Sequence, residues 1–168
     1  MLSSLKNKIT NIFVRNKTDI NGDINLSNLS LTKLSSIQRE ITGNFNCKNN
    51  ELTSLKGCSI IIGKNFDCSN NKITSLKYLP KTIKRNIIIF NNKITSLIGS
   101  PVIVDGDFNC KNNKLENLYG RPEAVYGNFD CSDNNLTSLK GSPKIIKKSF
   151  NCSYNKLTSL ECSPKVVS

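Results

Sequence analysis

The stretch NFDCSNNKITSL, residues 65–76, decides the fold because variants of it recur along the chain every 21 residues. The next copy, NIIIFNNKITSL at residues 86–97, keeps the frame and the ending, but its first part is apolar. Self-similarity at one fixed period indicates a repeat architecture in which each unit packs on the next. The chain is therefore expected to consist mainly of stacked copies of one short unit.

Apolar residues hold the same places in every copy. The register position reads Leu26, Cys47, Cys68, Ile89, Cys110, Cys131 and Cys152, which marks seven coils. Phe or Ile stands two residues earlier, and Leu or Ile stands five and eight residues later. This alternation predicts short strands with Phe and Cys pointing inward. Parallel strands are expected near residues 44–48, 65–69, 86–90, 107–111, 128–132 and 149–153.

Asparagine and proline define the rest of the coil. An asparagine lies three residues after the register position in every coil except the first, which has Leu29. A buried turn leaves backbone groups without partners, and an amide side chain can both donate and accept, so stacked asparagines predict a ladder. Prolines recur later in the coil, at Pro80, Pro101, Pro122, Pro143 and Pro164. They predict an extended rather than helical return segment.

The stretch FNCKNNELTSL, residues 45–55, fits L-x-L-x-x-N-x-L-x-x-L with Phe and Cys at the first two apolar places. This pattern resembles the leucine-rich repeat (LRR) family over residues 22–167. Its short period is similar to that of short-repeat proteins from bacteria, their phages and large viruses. The resemblance implies a mainly β, curved parallel solenoid of seven coils with an extended convex side. It also implies protein binding on the concave sheet.

The two ends of such a solenoid need covering, because its core is exposed there. Apolar residues in the N-terminal segment fall at helical spacing, at Leu2, Leu5, Ile9, Ile12 and Phe13. Residues 1–21 are therefore predicted as an α-helical cap and residues 22–168 as the solenoid. A basic helix lying on a membrane surface is the alternative. No cap pattern follows Val167, so the last coil is expected either to fold its tail over the core or to form a homo-oligomer.

Composition limits the chemistry. The chain has 24 Lys and Arg, 12 Asp and Glu, a net charge of +12 and no His. No apolar run reaches the length of a membrane-spanning helix, and the N-terminus lacks a secretory pattern. A cytoplasmic protein is expected, in the host cytoplasm if the source is viral. The register cysteines alternate with Leu26 and Ile89, which predicts core filler rather than a metal or disulfide site. Catalytic residues, cofactors and metals are not expected, and an enzyme is the disfavoured alternative.

The fourth coil supplies the candidate site. Outward strand positions are polar in every coil except this one, where they are Ile88 and Phe90. We expect these two side chains to stand exposed as an apolar anchor in a polar concave face. The predicted polar rim is Asp67, Asn86, Asn109 and Lys111, with Tyr154 as a second anchor. The corresponding function is a non-enzymatic protein-binding module. Sequence drift without function is the alternative.

A basic rim offers another hypothesis. Cationic residues cluster on the segment that enters the strand, at Lys64, Lys81, Lys84, Arg85, Lys144, Lys147 and Lys148. They could bind nucleic acid or another anionic surface, or they could be solvated flanks without a partner. The chain lacks the aromatic series on which single-stranded nucleic acids stack. It is also not expected to offer a helix that could enter a DNA groove.

Overall fold

A computed structural model of the chain describes residues 19–34, 40–58 and 61–167. These residues form a parallel β solenoid in which every strand has two residues. The strands are β1 (Ile24–Asn25), β2 (Glu40–Ile41), β3 (Phe45–Asn46), β4 (Ile61–Ile62), β5 (Phe66–Asp67), β6 (Thr82–Ile83), β7 (Ile87–Ile88), β8 (Ile103–Val104), β9 (Phe108–Asn109), β10 (Ala124–Val125), β11 (Phe129–Asp130), β12 (Ile145–Ile146), β13 (Phe150–Asn151) and β14 (Val166–Val167).

The odd-numbered strands form one seven-stranded parallel sheet in the order β1-β3-β5-β7-β9-β11-β13. Neighbours pair in the register of the repeat, so that Phe66 lies beside Phe45 on one side and Ile87 on the other. Seven strands enclose six complete turns, and each coil is named here by its place in this sheet, so that coil four contains β7. The predicted parallel solenoid is confirmed, as are its strand positions.

The inward side chains form one continuous core. Phe45, Cys47, Leu52 and Leu55 are fully buried, and their equivalents in the next coils are buried with them. Phe45 stacks on Phe66 with ring centroids 5.7 Å apart and nearly parallel planes. A second stack runs through Phe108, Phe129 and Phe150. Ile87 and Ile89 separate the two stacks and fill the same space in coil four, so the exchange of Phe and Cys for two Ile preserves the core.

The return limb, which carries the chain from one turn to the next strand, is extended, as predicted. It also forms two further parallel sheets, β2-β4-β6 and β8-β10-β12-β14, which the sequence analysis did not anticipate. Inward residues such as Ile62 and Val104 bring these strands into the core. Strands β6 and β8 are end strands of separate sheets and do not pair. The return limb is therefore interrupted between coils three and four, whereas the seven-stranded sheet is continuous there.

The tight turn before the return limb depends on glycine where successive coils touch. The amide of Ser100 donates to the carbonyl of Leu97, closing a turn through Gly99. Gly99 has a φ of +106°, and a Cβ on it would lie 2.5 Å from the carbonyl oxygen of Leu76 in the preceding coil. A larger residue would both strain this backbone and collide with its neighbour.

Two predictions concern the ends of the chain. The N-terminal helical cap falls on residues 1–18, which lie outside the described residues. At the other end, Leu160 is 68% exposed although its equivalent in the preceding coil, Leu139, is fully buried. Phe150 is half-buried. A homo-oligomer formed through this last coil stays a prediction.

Candidate protein-binding face

A buried ladder of asparagines holds the turn that follows each strand of the seven-stranded sheet. The Nδ2 of Asn71 donates to the carbonyls of Cys47, Cys68 and Ser69, at 3.1 Å each. Its Oδ1 accepts the amide of Leu52, at 3.0 Å. The predicted ladder is therefore confirmed. We call it the inner ladder, and it fixes the strand ends from which the outward side chains project: Asn50, Asn71, Asn92, Asn113, Asn134 and Asn155.

The outward side of the seven-stranded sheet, here called the strand face, consists of three columns of side chains. The leading column is Asp23, Asn44, Asn65, Asn86, Asp107, Asn128 and Ser149. The middle column is Asn25, Asn46, Asp67, Ile88, Asn109, Asp130 and Asn151. The trailing column is Ser27, Lys48, Ser69, Phe90, Lys111, Ser132 and Ser153.

The leading column forms a second, partly exposed ladder along the entry to the strands. The Oδ1 of Asn86 accepts the amide of Asp107 at 2.8 Å, and the Oδ1 of Asp107 accepts the amide of Asn128 at 2.7 Å. In the first coil, hydrogen bonds from the backbone and side chain of Asn44 lower the pKa of Asp23. Because each side chain is tied to the next coil, this edge of the strand face is held rigid.

Coil four interrupts the polar strand face with two apolar side chains. We expected Ile88 and Phe90 to be exposed, but both side chains are half-buried. The difference has a simple cause, since strands of a sheet lie only about 4.8 Å apart and neighbouring side chains cover each other's flanks. The pair still presents apolar surface at the middle of the sheet, between Asp67 and Ser69 on one side and Asn109 and Lys111 on the other.

Two shallow hollows lie on the strand face, one on each side of Ile88. The N-terminal hollow, of about 360 Å³, extends from coil one to Ile88 and includes Asn46 and Asp67. The C-terminal hollow, of about 470 Å³, extends from Ile88 towards coil seven and includes Phe90 and Asp130. Asn86 and Ile88 line both hollows. Ile88 is thus a ridge between two concavities, which a single elongated partner could contact together.

The structure brings most of the predicted site residues together. Asp67, Asn86 and Asn109 each line at least one hollow beside Ile88. Lys111 is exposed, and its Nζ lies 3.4 Å from Oδ2 of Asp133. Tyr154 is 81% exposed and lines neither hollow. From the leading column the sequence analysis assigned only Asn86 to the site, although Asp107 and Asn128 also line the C-terminal hollow. The fixed 21-residue spacing of these polar residues was the available indication.

The basic rim is exposed but discontinuous. Its members fall into one group in coils three and four and another in coils six and seven: Lys64, Lys81, Lys84 and Arg85, then Lys144, Lys147 and Lys148. Between the groups the same columns carry Asp105 and Glu123. Glu123 accepts a hydrogen bond from Lys144 at 3.3 Å. The acidic residues divide the rim into two patches.

An apolar group on the return limb was also missed by the sequence analysis. Ile98, Val102, Ile103 and Tyr119 are all about half exposed or more. They lie in coils four and five, close to the interruption between β6 and β8. Column comparison could have found them, because Ile98 stands where Lys77 and Lys140 occur, and Val102 where Lys81 and Lys144 occur.

The chemistry of the described residues is limited. Burial raises the pKa of the Cys47, Cys68 and Cys110 thiols well above their usual range, so they are not thiolate nucleophiles at neutral pH. Within the described ranges, histidine, cysteine and acidic side chains do not gather in threes around a common point that could hold a metal ion. These ranges also contain no helix of the length and apolarity that crossing a bilayer requires.

Comparison of the chain with protein-family models, curated proteins and solved structures found no match. The functional argument therefore depends on the strand face itself.

Proposed function

We propose that this chain is a leucine-rich repeat protein of the short, 21-residue type and a non-enzymatic module that binds a protein on its strand face. Ile88 and Phe90 form the apolar centre of the contact, and Asp67, Asn86 and Asn109 form part of its polar rim. The observation that carries the proposal is the position of Ile88, which lines two hollows in the middle of an otherwise polar sheet.

Physical considerations favour this face over the rest of the surface. Binding hot spots are typically apolar or aromatic groups near the centre of an interface, surrounded by polar groups that exclude water. The strand face has that arrangement, and its side chains are held by hydrogen bonds to adjacent residues and coils. A partner therefore orders few side chains when it binds, which reduces the entropic cost of association. The column of buried thiols also suits a reducing compartment such as the cytoplasm.

The experiment compares two variants for binding to peptides selected from a random displayed library on the purified chain. In the first variant, Ile88→Asn is combined with Phe90→Ser, the residue types that neighbouring coils carry in these columns. Because those residues suit the sheet, the melting temperature should stay within a few degrees of wild type. Affinity for the selected peptides should fall by about 2 kcal/mol, roughly 30-fold.

The second variant reverses charge on the basic rim through Lys81→Glu, Lys84→Glu and Arg85→Glu. It should leave affinity for the selected peptides nearly unchanged. The opposite pattern, in which rim reversal abolishes binding and the change in coil four has no effect, would contradict the proposal. Binding of a single-stranded oligonucleotide that weakens steeply between 50 and 200 mM salt would then identify the rim as a phosphate-binding surface.

A further inference from the structure

The charges that line the two hollows contrast with those of the whole chain. The chain has twice as many Lys and Arg as Asp and Glu, 24 against 12. Among the described residues, the charged side chains lining the hollows are nevertheless all carboxylates: Asp23 and Asp67 in the N-terminal hollow, Asp107 and Asp130 in the C-terminal hollow. The strand face as a whole carries these four aspartates against two lysines, Lys48 and Lys111. It is a locally acidic surface on a strongly basic protein.

Three of these carboxylates are oriented by hydrogen bonds to one oxygen, while their other oxygen accepts none within the described ranges. Oδ1 of Asp67 accepts the amide and the hydroxyl of Ser69, at 2.9 and 2.6 Å. Oδ1 of Asp130 accepts the amide of Ser132, and Oδ1 of Asp107 accepts the amide and side chain of Asn128. The Oδ2 atoms of all three have no hydrogen-bond partner among the described residues. Asp23 differs, since Asn44 engages both of its oxygens.

These observations indicate the chemistry of the partner. Each free Oδ2 can accept a charge-assisted hydrogen bond from a lysine or arginine, and the carboxylate is already oriented. Ile88 and Phe90 offer contact to an apolar side chain between those cations. Phosphates would be repelled from the hollows by the same carboxylates. Charge complementarity therefore favours a cationic protein segment on the strand face over nucleic acid.

The spacing of the acidic residues sets the pattern of that segment. Asp67 and Asp130 occupy the same column three coils apart, and strands are spaced about 4.8 Å apart, so they are about 14 Å from each other. An extended chain covers this distance in about four residues at roughly 3.3 Å per residue. Residues at positions i, i+2 and i+4 of an extended chain share one face. Two cations at i and i+4 and an apolar residue at i+2 would therefore meet Asp67, Ile88 and Asp130.

Building on the proposed function, we propose that the strand face binds an extended segment with the pattern cation-x-apolar-x-cation, which crosses the strands along the solenoid axis. The apolar side chain lies against Ile88 and Phe90. One cation pairs with Asp67, and the other pairs with Asp130, assisted by Asp107. A long polybasic run is disfavoured, because the surrounding lysines repel every cation that has no aspartate opposite it.

The test uses the full chain and four synthetic nine-residue peptides in fluorescence anisotropy at 0.1 M salt. The first has lysine at its third and seventh positions, leucine at its fifth and threonine elsewhere, since threonine favours extended structure. The second replaces both lysines with glutamate, the third replaces leucine with serine, and the fourth is all lysine. The first should bind about tenfold or more tightly than each of the others, which corresponds to about 1.4 kcal/mol.

The matched variants change charge equally at two places. Asp67→Asn with Asp130→Asn removes two carboxylates from the strand face, and asparagine already fills this column at Asn46 and Asn109 with the same backbone hydrogen bond. Asp105→Asn with Glu116→Gln removes two exposed carboxylates elsewhere. The first variant should lower affinity for the lysine–leucine peptide about tenfold with an unchanged melting temperature, and the second should not.

Other results separate this inference from the proposed function. If the lysine–leucine peptide fails to bind, or if both pairs of substitutions weaken it equally, the cationic pattern is wrong. The library-selected peptides could lack paired cations and still bind the Ile88→Asn, Phe90→Ser variant more weakly than the wild type. In that case the strand face binds protein segments of another chemistry, and only this inference is overturned. Selected peptides that are insensitive to every strand-face change overturn both.

Discussion

Two asparagine ladders run side by side through this solenoid. They differ in the groups to which their side-chain amides hydrogen-bond. Asn92 belongs to the inner ladder, and Asn91 belongs to an outer ladder of exposed or half-buried residues that also contains Asn28, Asn49, Asn70 and Asn112. The Nδ2 of Asn92 donates to the buried carbonyls of Cys68 and Ile89, and its Oδ1 accepts the amide of Ile73. The amide of Asn91 instead bonds to Asn70 and Asn112, side chain to side chain.

The comparison shows that the number of hydrogen bonds does not measure their contribution to stability. Water can replace the partners of an exposed amide, so loss of the outer contacts costs little. Water cannot reach the backbone groups behind Asn92 without opening the core, so the amide of Ile73 would remain unpaired and the two carbonyls would each keep only one side-chain donor. The outer ladder has a different requirement. Its residues have positive φ, +53° at Asn91, a conformation that asparagine and glycine tolerate better than other residues.

The largest effect is expected for Asn92→Ala. This change leaves the buried amide of Ile73 without its partner, which costs about 1–3 kcal/mol. It also removes one of the two side-chain donors from each of the carbonyls of Cys68 and Ile89. We expect the free energy of unfolding to fall by about 3 kcal/mol in urea titrations. Cys68 should also react faster with a thiol reagent than in wild type, because its carbonyl loses one of its two side-chain donors. An unchanged urea midpoint together with unchanged Cys68 labelling would show that the inner ladder does not support the fold.

A smaller effect is expected for Asn91→Ala. Alanine loses two exposed hydrogen bonds and must adopt the positive φ at a cost of about 1 kcal/mol. Asn91→Gly is the matched control, because glycine loses the same hydrogen bonds but accepts the backbone conformation. Unfolding free energies should fall in the order Asn91→Gly, Asn91→Ala, Asn92→Ala, from least to most destabilised. Equal losses for the two alanine variants would mean that inner and outer positions are energetically alike.

The smallest effect, and one of opposite sign, is expected for Tyr154→Asn. Tyr154 occupies the outer-ladder position of the last coil with a φ of +52°, which is unfavourable for an aromatic residue. Asparagine should raise the free energy of unfolding by about 0.5 kcal/mol, since it relieves this strain. The same variant examines the predicted second anchor. Weaker binding of library-selected peptides despite the gain in stability would assign Tyr154 a direct contact, whereas unchanged binding would remove it from the site.

The sequence was enough to predict the solenoid because 21-residue periodicity aligns every inward side chain. Phe66, Cys68 and Asn71 were assigned correctly to the core and the inner ladder, since each role follows from its place within one coil. Features that depend on relations between coils were harder to foresee. The half-burial of Ile88 and Phe90 arises from neighbours along the solenoid axis, which a period-two pattern within one strand does not describe.

The hollows escaped sequence analysis for a similar reason. Each one takes its shape from several coils and from the leading column, in which Asn86 and Asp107 act through hydrogen bonds to the next coil. The cationic clusters were identified from the sequence, and the 21-residue spacing that places Asp105 and Glu123 in the same columns could also have indicated their separation. The sequence of one repeat is thus enough to assign each side chain to the core or to the surface. The shape of the surface depends on how several coils stack.

The interruption between β6 and β8 has a consequence for cooperativity. In a stack of coils, total stability is approximately the sum of the intrinsic stabilities of the units and the coupling between nearest neighbours. Coils three and four are coupled by the seven-stranded sheet and by core contacts such as those of Ile83 and Val104, but their return limbs share no strand pairing. The coupling between neighbouring coils is therefore expected to be weakest at this junction. Partial unfolding would divide the molecule there into two blocks, with Asp67 in the first and with Ile88, Phe90 and Asp130 in the second.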